Sequence, residues 1–424
     1  MYIRDYRPRI IDATLAEYLE TFGAILIEGP KWCGKTWTGR HIAESEFFVA
    51  DSRANFNNRN LAMLNPDLVL DGAAPRLIDE WQEVPHLFDA VRSRVDRTGN
   101  KGQFILTGST SIDKNAYIHS GTGRIAHLRM RTMSLYESGR SDGKVSLVDA
   151  CYNRAKDVYT GDVNLANIID AILIGGWPSS LDLDVKRGSL VAREYVNSLL
   201  SEDLYKVDLV RRDRHKLELL LRSLARNEAT TAANSTLKKD INETEGNDLS
   251  TDTITGYLDV LARLFITENI PPFSPNIRSS LRLKQAEKRH FVDPSLSCAL
   301  LQLTPEKLLS DLKLLGFLFE SLVERDLLTY VEAFGAKLFH YQDYRNNEMD
   351  AVIELEDGSW CGIEIKLGAY QIDEAANNLR RINEAIERTG GQGARSLIVI
   401  CGLTSAAYRR PDGVYVLPIT SLRE

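Results

Sequence analysis

The chain has 424 residues, too many for one hydrophobic core and enough for about two to four domains. Hydrophobic residues make up 43% of it, which excludes a disordered polypeptide. Its 52 basic and 59 acidic residues leave a formal charge of −7. That balance argues against a protein coated in nucleic acid, while leaving room for a basic groove within one domain.

The first residues, Met1 to Pro8, lack the apolar core of a signal peptide. No apolar run approaches the ~20 residues of a membrane span. Cys33, Cys151, Cys298, Cys361 and Cys401 are scattered with no C-x-x-C pair, so neither a disulfide framework nor a zinc site is expected. Together these features predict a soluble, cytoplasmic protein with no membrane partner.

The apolar run Ala24-Ile25-Leu26-Ile27 predicts a buried strand, and Trp37 to Glu44 predicts a helix. Between them lies Gly29-Pro30-Lys31-Trp32-Cys33-Gly34-Lys35-Thr36, a complete G-x-x-x-x-G-K-[ST] phosphate loop. Its glycines let the backbone wrap so that successive N–H groups face a phosphate from a helix N-terminus. Lys35 would reach the β- and γ-phosphates of ATP, and the Thr36 hydroxyl would bind Mg²⁺.

A second strand, Arg76-Leu77-Ile78, runs into Asp79-Glu80-Trp81-Gln82, the pattern of a Walker B motif. Asp79 would hold Mg²⁺, and Glu80 would orient and polarise the attacking water, since phosphoryl transfer depends on positioning and charge neutralisation. A third strand, Gln103 to Gly108, opens into Ser109-Thr110. A polar sensor is expected there, at the carboxyl end of a parallel strand. Ser109 is the candidate, and a helix cap by Ser109 or Ser111 is the alternative. After Gly121-Thr122-Gly123 comes Arg124, a candidate for stabilising transferring phosphoryl charge in its own site or a neighbour's. A surface arginine or a structural ion pair is the alternative for it.

The phosphate loop, Leu77-Ile78-Asp79-Glu80-Trp81-Gln82, Ile105-Leu106-Thr107-Gly108-Ser109 and Arg129 to Glu137 together resemble the prokaryotic ATPases built from an AAA-type N-terminal domain and a DUF4143-like C-terminal domain of unknown function. The resemblance runs on through Gly175-Gly176-Trp177-Pro178 and Phe291-Val292-Asp293-Pro294. Where that family has Arg-Pro-Met-Ser, this chain has Arg131-Thr132-Met133-Ser134, which alters a bend and not a charge. The resemblance implies an α/β multidomain protein. Its parts would be a three-layer αβα ATPase domain (1–140), a helical linker region (141–208), a winged-helix-like domain (209–285) and an α/β domain similar to PD-(D/E)xK nucleases (286–424).

Polar residues from about Gly139 to Asp162 predict an excursion or linker. Helical patterns follow at Leu165–Ile174 and Ser189–Leu204, and Trp177 between them is expected to pack against the ATPase domain. Helices near Lys216–Asn227, Ser235–Ile241 and Thr253–Leu264, then a strand from Leu264 to Asn269, resemble a winged helix. Its acidic loop Asn242–Asp248 and the Asp252 at the head of the third helix suit DNA phosphates poorly, so a packing or hinge role competes with DNA reading.

Met349 to Leu355 and Ser359 to Lys366 read as a hairpin turning at Glu356-Asp357-Gly358. Pairing Leu355 with Ser359 sets Asp350 opposite Glu364, with Lys366 on the same face. Like charges about 5 Å apart repel unless a cation sits between them, either Lys366 or a divalent metal such as Mg²⁺ or Mn²⁺. The helix Phe317–Glu324 would add Glu320. Glu320, Asp350, Glu364 and Lys366 match the helix-Glu, Asp, (D/E)-x-K pattern of the nucleases. That resemblance implies carboxylates binding metal and a lysine positioning water, with a structural ion-pair cluster as the alternative.

Two function classes follow. One is an ATPase that couples hydrolysis to DNA binding or cleavage, working as a homo-oligomer. The other is a nucleotide switch that controls protein partners, with an inactive C-terminal domain.

Overall fold

The computed structural model describes residues 6–111, 121–203, 213–245, 250–274, 286–343, 345 and 347–424. They fall into two compact units. Of the described residues, the first holds those up to Thr132 together with Asp259–Ile266; the second holds those of Met133–Asp203, Arg211–Leu258 and Thr267–Glu424.

In the first unit, consecutive buried apolar residues in the central strands, Ala24 to Ile27, Leu77-Ile78 and Phe104 to Leu106, dictate a sheet covered on both faces. The strands are β1 (Ala24–Glu28), β2 (Ser45–Phe48), β3 (Arg76–Asp79), β4 (Phe104–Gly108) and β5 (Ile125–Arg129). All pair in parallel, in the order β2-β3-β4-β1-β5. Ala24, Leu26, Ile78 and Leu106 pack with Leu87, Phe88 and Val91 of the helix His86–Thr98. Ile25, Ile27, Leu77 and Ile105 pack with Leu15 and Leu19 of the helix Ile11–Thr21. The result is an αβα sandwich whose strand carboxyl ends share one edge, where ligands bind in such sheets.

The second unit is built on seven strands: β7 (Val158–Tyr159), β8 (Lys337–Gln342), β9 (Glu348–Glu354), β10 (Trp360–Gly368), β11 (Ser396–Leu403), β12 (Ala406–Arg409) and β13 (Tyr415–Pro418). Their order is β7-β12-β13-β11-β10-β9-β8. The helix Ile372–Arg388 lays Ile372, Ala375, Ala376, Leu379, Ile382 and Ile386 on this sheet, an i, i+3, i+4 stripe meeting Val352, Trp360, Val399 and Val416. The hairpin has the expected register: Trp360 pairs Glu354, Ile363 pairs Ala351, and Gly358 takes φ 78° in the turn.

The stretch expected as a linker is woven into this unit. Its polar residues sit at turns, while Val145, Leu147, Ala150 and Cys151 are buried. The strand β6 (Val145–Ser146) pairs with β14 (Leu422–Arg423), and β7 adds an edge strand beside β12. Helices run at Leu165–Ile174, Val185–Ser198, Arg214–Arg226, Asn234–Glu245 and Thr251–Arg263. The expected strand from Leu264 to Asn269 is instead a turn with one isolated bridge, Thr267 to Phe291. Of the expected acidic loop, residues 246–249 lie outside the described residues.

Trp177 is fully buried within the second unit. Its Nε1 donates to Ser295 Oγ at 3.0 Å and its ring meets Tyr195 at 4.8 Å. Gly176 must be glycine, because a Cβ there would lie 2.1 Å from the Met133 carbonyl oxygen. Trp177→Ala should cost about 3–5 kcal/mol of the second unit's stability in urea unfolding. A loss under about 1 kcal/mol would mean that the indole is not packed.

Candidate functional site

β1 delivers the chain into the phosphate loop. A Cβ on Gly29 would fall 2.0 Å from the Met130 carbonyl oxygen, so only glycine lets the loop start so close to the chain after β5. Gly34, at φ 107°, opens the helix Lys35–Ile42. Pro30 and Cys33 are buried beneath the loop, and the Cys33 carbonyl accepts from Arg9 Nη1 at 2.9 Å. Arg9 Nη2 reaches the Arg131 carbonyl at 2.9 Å, so this guanidinium braces the loop from below. Lys31 is half-buried and Trp32 exposed at the crown, with Trp32 in the left-handed region at φ 63°. The buried Lys35 ammonium donates to the carbonyls of Gly29 at 2.9 Å and Pro30 at 2.7 Å.

The acids arrive on β3. Asp79 Oδ1 accepts from Thr36 Oγ1 at 2.7 Å and from Thr107 Oγ1 at 2.6 Å. Burial raises the Asp79 carboxyl above its usual range, and the two hydroxyls offset this only in part. Glu80 turns sharply at φ 55°, and its Oε2 accepts from Ser109 Oγ at 3.1 Å and from Gln82 Nε2. Gln82 Nε2 also reaches Ser109 Oγ at 3.3 Å, and Thr107 Oγ1 accepts from the Glu80 backbone N–H at 3.3 Å. The carboxyl ends of β1, β3 and β4 thus gather Lys35, Thr36, Asp79, Glu80, Thr107 and Ser109. The hard-oxygen pair of Thr36 and Asp79, with its carboxylate desolvated, fits Mg²⁺.

Thr107 and Gln82 were not singled out in the sequence. Thr107 holds both acids, and a hydroxyl on an otherwise apolar strand was the signal for it. Arg124 lies elsewhere. It precedes Ile125, which pairs with Ala24 at the amino end of the sheet, about 13 Å of strand from the loop. Arg124 Nε is 2.7 Å from Asp96 Oδ1. It therefore does not reach the phosphate loop of its own chain, and its pair with Asp96 is the ion pair given above as the alternative.

In the second unit, Glu320, Asp350, Glu364 and Lys366 are brought to one centre. Lys366 Nζ lies 2.9 Å from Asp350 Oδ2 and 2.5 Å from Glu364 Oε2, and Asn378 Nδ2 donates to Glu364 Oε1 at 2.7 Å. A residue that no local motif marks fills the remainder. Lys288 donates to Glu320 Oε1, to Glu324 Oε1 at 2.8 Å and to the Asp350 carbonyl at 3.0 Å. Beside it, His290 sits between Glu324 at 3.1 Å and Glu228 at 3.4 Å. The divalent metal expected on Glu320, Asp350 and Glu364 does not fit, because ammonium groups already occupy the space between the carboxylates. Among the described residues, no three His, Cys, Asp or Glu side chains are disposed to hold a metal. Lys288 and His290 alternate along one extended run, the only local sign that both point inward.

Three family models match the chain in succession: an AAA domain over residues 21–138, the domain of unknown function DUF8612 over 165–307, and the domain of unknown function DUF4143 over 315–422. Uncharacterized proteins of Mycobacterium bovis and Mycobacterium tuberculosis are each 24% identical over 360 residues, 84% of this chain and 72% of theirs. A Walker-type ATPase of Pyrococcus abyssi aligns in three dimensions with a TM-score of 0.42 at 13% identity, over 70% of this chain and 99% of its own. No helix among the described residues is long and apolar enough to cross a membrane. The chain carries an AAA-type phosphate-loop domain and a DUF4143 domain.

His290 yields a test of the buried charges. Burial opposes its positive form, but Glu324 and Glu228 outweigh it and raise the imidazole from 6.5 to about 9. A raised cation pKa stabilises fully below the unfolded value and is lost as the pH climbs through the folded one. Stability should therefore fall between about pH 6.5 and 9 by an amount on the order of 3 kcal/mol, and His290→Gln should flatten that limb. Identical pH profiles for both proteins would show a neutral His290.

Proposed function

We propose that the first unit binds ATP with Mg²⁺ and hydrolyses it slowly. Residues Gly29 to Thr36 hold the triphosphate, and Lys35 exchanges its loop carbonyls for the β- and γ-phosphates. Mg²⁺ on Thr36 and Asp79 neutralises phosphate charge. Glu80 orients the attacking water and takes its proton, while Ser109 and Gln82 fix the carboxylate. What carries this reading is the convergence of Thr36-Asp79-Thr107 and Glu80-Ser109-Gln82 on adjacent parallel strand ends.

A phosphate loop leaves the γ-phosphate open on one side. Arg124 of a neighbouring subunit is the candidate to close it, leaving Asp96 to do so. For the second unit, two outputs compete: DNA binding or cleavage by a winged-helix-like and nuclease-like pair, and control of protein partners by an inactive domain. The lysine-filled carboxylate centre supports the second.

Lys35→Ala should abolish ATP binding, and Glu80→Gln should retain ATP while losing turnover by at least about 100-fold. Undiminished turnover in the Gln variant would remove Glu80 from the mechanism. Specific activity should rise with protein concentration, and mixing Arg124→Ala with Lys35→Ala subunits should recover activity lost in each. A concentration-independent rate with no recovery would return Arg124 to its pair with Asp96.

A further inference from the structure

The carboxylate centre of the second unit draws on two segments that match different family models. Glu320, Glu324, Asp350 and Glu364 lie in the DUF4143 match, and Lys288, with His290 and Glu228, lies in the DUF8612 match. The Lys288 side chain is 1% exposed and Glu324 is fully buried. An ammonium has three protons to donate and no acceptor. Here all three find oxygens: Glu320 Oε1, Glu324 Oε1 and the Asp350 carbonyl.

The main chain at Lys288 is also fixed. Its N–H donates to the Ile270 carbonyl at 2.9 Å, and the Ile270 N–H donates back at 2.9 Å. The bridge fixes the point from which the side chain enters the centre, and its three hydrogen bonds hold the ammonium there. A metal entering between Glu320 and Asp350 would have to displace a saturated, buried cation and leave it unpaired, which is strongly unfavourable. Burial opposes charge on Lys288, yet Glu320, Glu324 and Asp350 outweigh it and keep the ammonium charged. Lys366 completes the pairing from the solvent side, between Asp350 and Glu364.

We propose that Lys288 is a built-in cation, supplied by the DUF8612 segment, that occupies the place of a divalent metal among the DUF4143 carboxylates and makes that centre a metal-free structural joint. The joint ties the extended run 286–290 to the helix Leu312–Glu332 and to β9. Its carboxylates are a latent metal site that the chain itself has closed.

The test is calorimetric titration of the nucleotide-free full-length chain with MnCl₂. Wild type should show no binding that Asp350→Asn removes; Mn²⁺ heat insensitive to Asp350→Asn belongs to Asp79 and leaves the joint closed. Lys288→Ala, which empties the ammonium position, should gain Mn²⁺ affinity by at least about tenfold, and adding Glu324→Gln should cancel the gain. Saturable Mn²⁺ binding by wild type that disappears in Asp350→Asn would overturn the proposal. So would a folded Lys288→Ala chain that binds no more Mn²⁺ than wild type. Where Lys288→Ala does not fold, Lys288→Met replaces it, and the wild-type titration decides on its own.

Discussion

A single half-buried carboxylate, Asp79, sets the terms of the phosphate-loop site. Two hydroxyls from different elements, Thr36 at the head of a helix and Thr107 at the end of β4, converge on one of its oxygens. That shared oxygen registers the loop against the sheet. Burial raises the Asp79 carboxyl, so the folded chain loses stability as the pH rises from the unfolded value to the folded one. A cation that favours the ionised form binds the folded state and restores what burial removes. The same strand end turns at Glu80, whose left-handed backbone is the kind of local strain found at functional sites. The turn aims its carboxylate at Ser109 and Gln82.

The second unit solves the opposite problem. It buries many charges and pairs each with chain groups. Arg325 lies 3.0 Å from Asp293 and 2.7 Å from Asp326. Asp326 accepts from the Leu135 backbone N–H, and Asp293 from that of Gly176. One guanidinium thus organises the chain around Trp177. Lys288 and His290 do the same around Glu324. Paired ions of this kind add little to net stability compared with an apolar core, but removing one partner is expensive, so they act as registration points between segments.

The phosphate loop, the acids of β3 and the hairpin register were legible because each is local: a strand, a turn and a few side chains at fixed spacing. Gly358 fixes the turn, and period-two alternation then fixes Asp350 against Glu364. What the sequence hid is non-local. Nothing near residue 145 says that it pairs with residue 422, since two-residue strands carry no periodic signal. Lys288 reads as one of several basic residues until the chain brings it to Glu320. Leu264 to Asn269 has strand-forming residues, yet among the described residues no neighbouring strand runs the length of it. Arg124 follows a glycine-rich turn that suggested a mobile finger, but parallel register carries it to the far end of β5.

In the proposed function, Asp79 makes the phosphate loop a Mg²⁺-dependent nucleotide site. Equilibrium binding of ATP, measured with and without Mg²⁺ in wild type and in Asp79→Asn, tests it most directly. Mg²⁺ should tighten binding to wild type by at least about tenfold and leave the Asn variant nearly unchanged. Equal enhancement by Mg²⁺ in both proteins would contradict it.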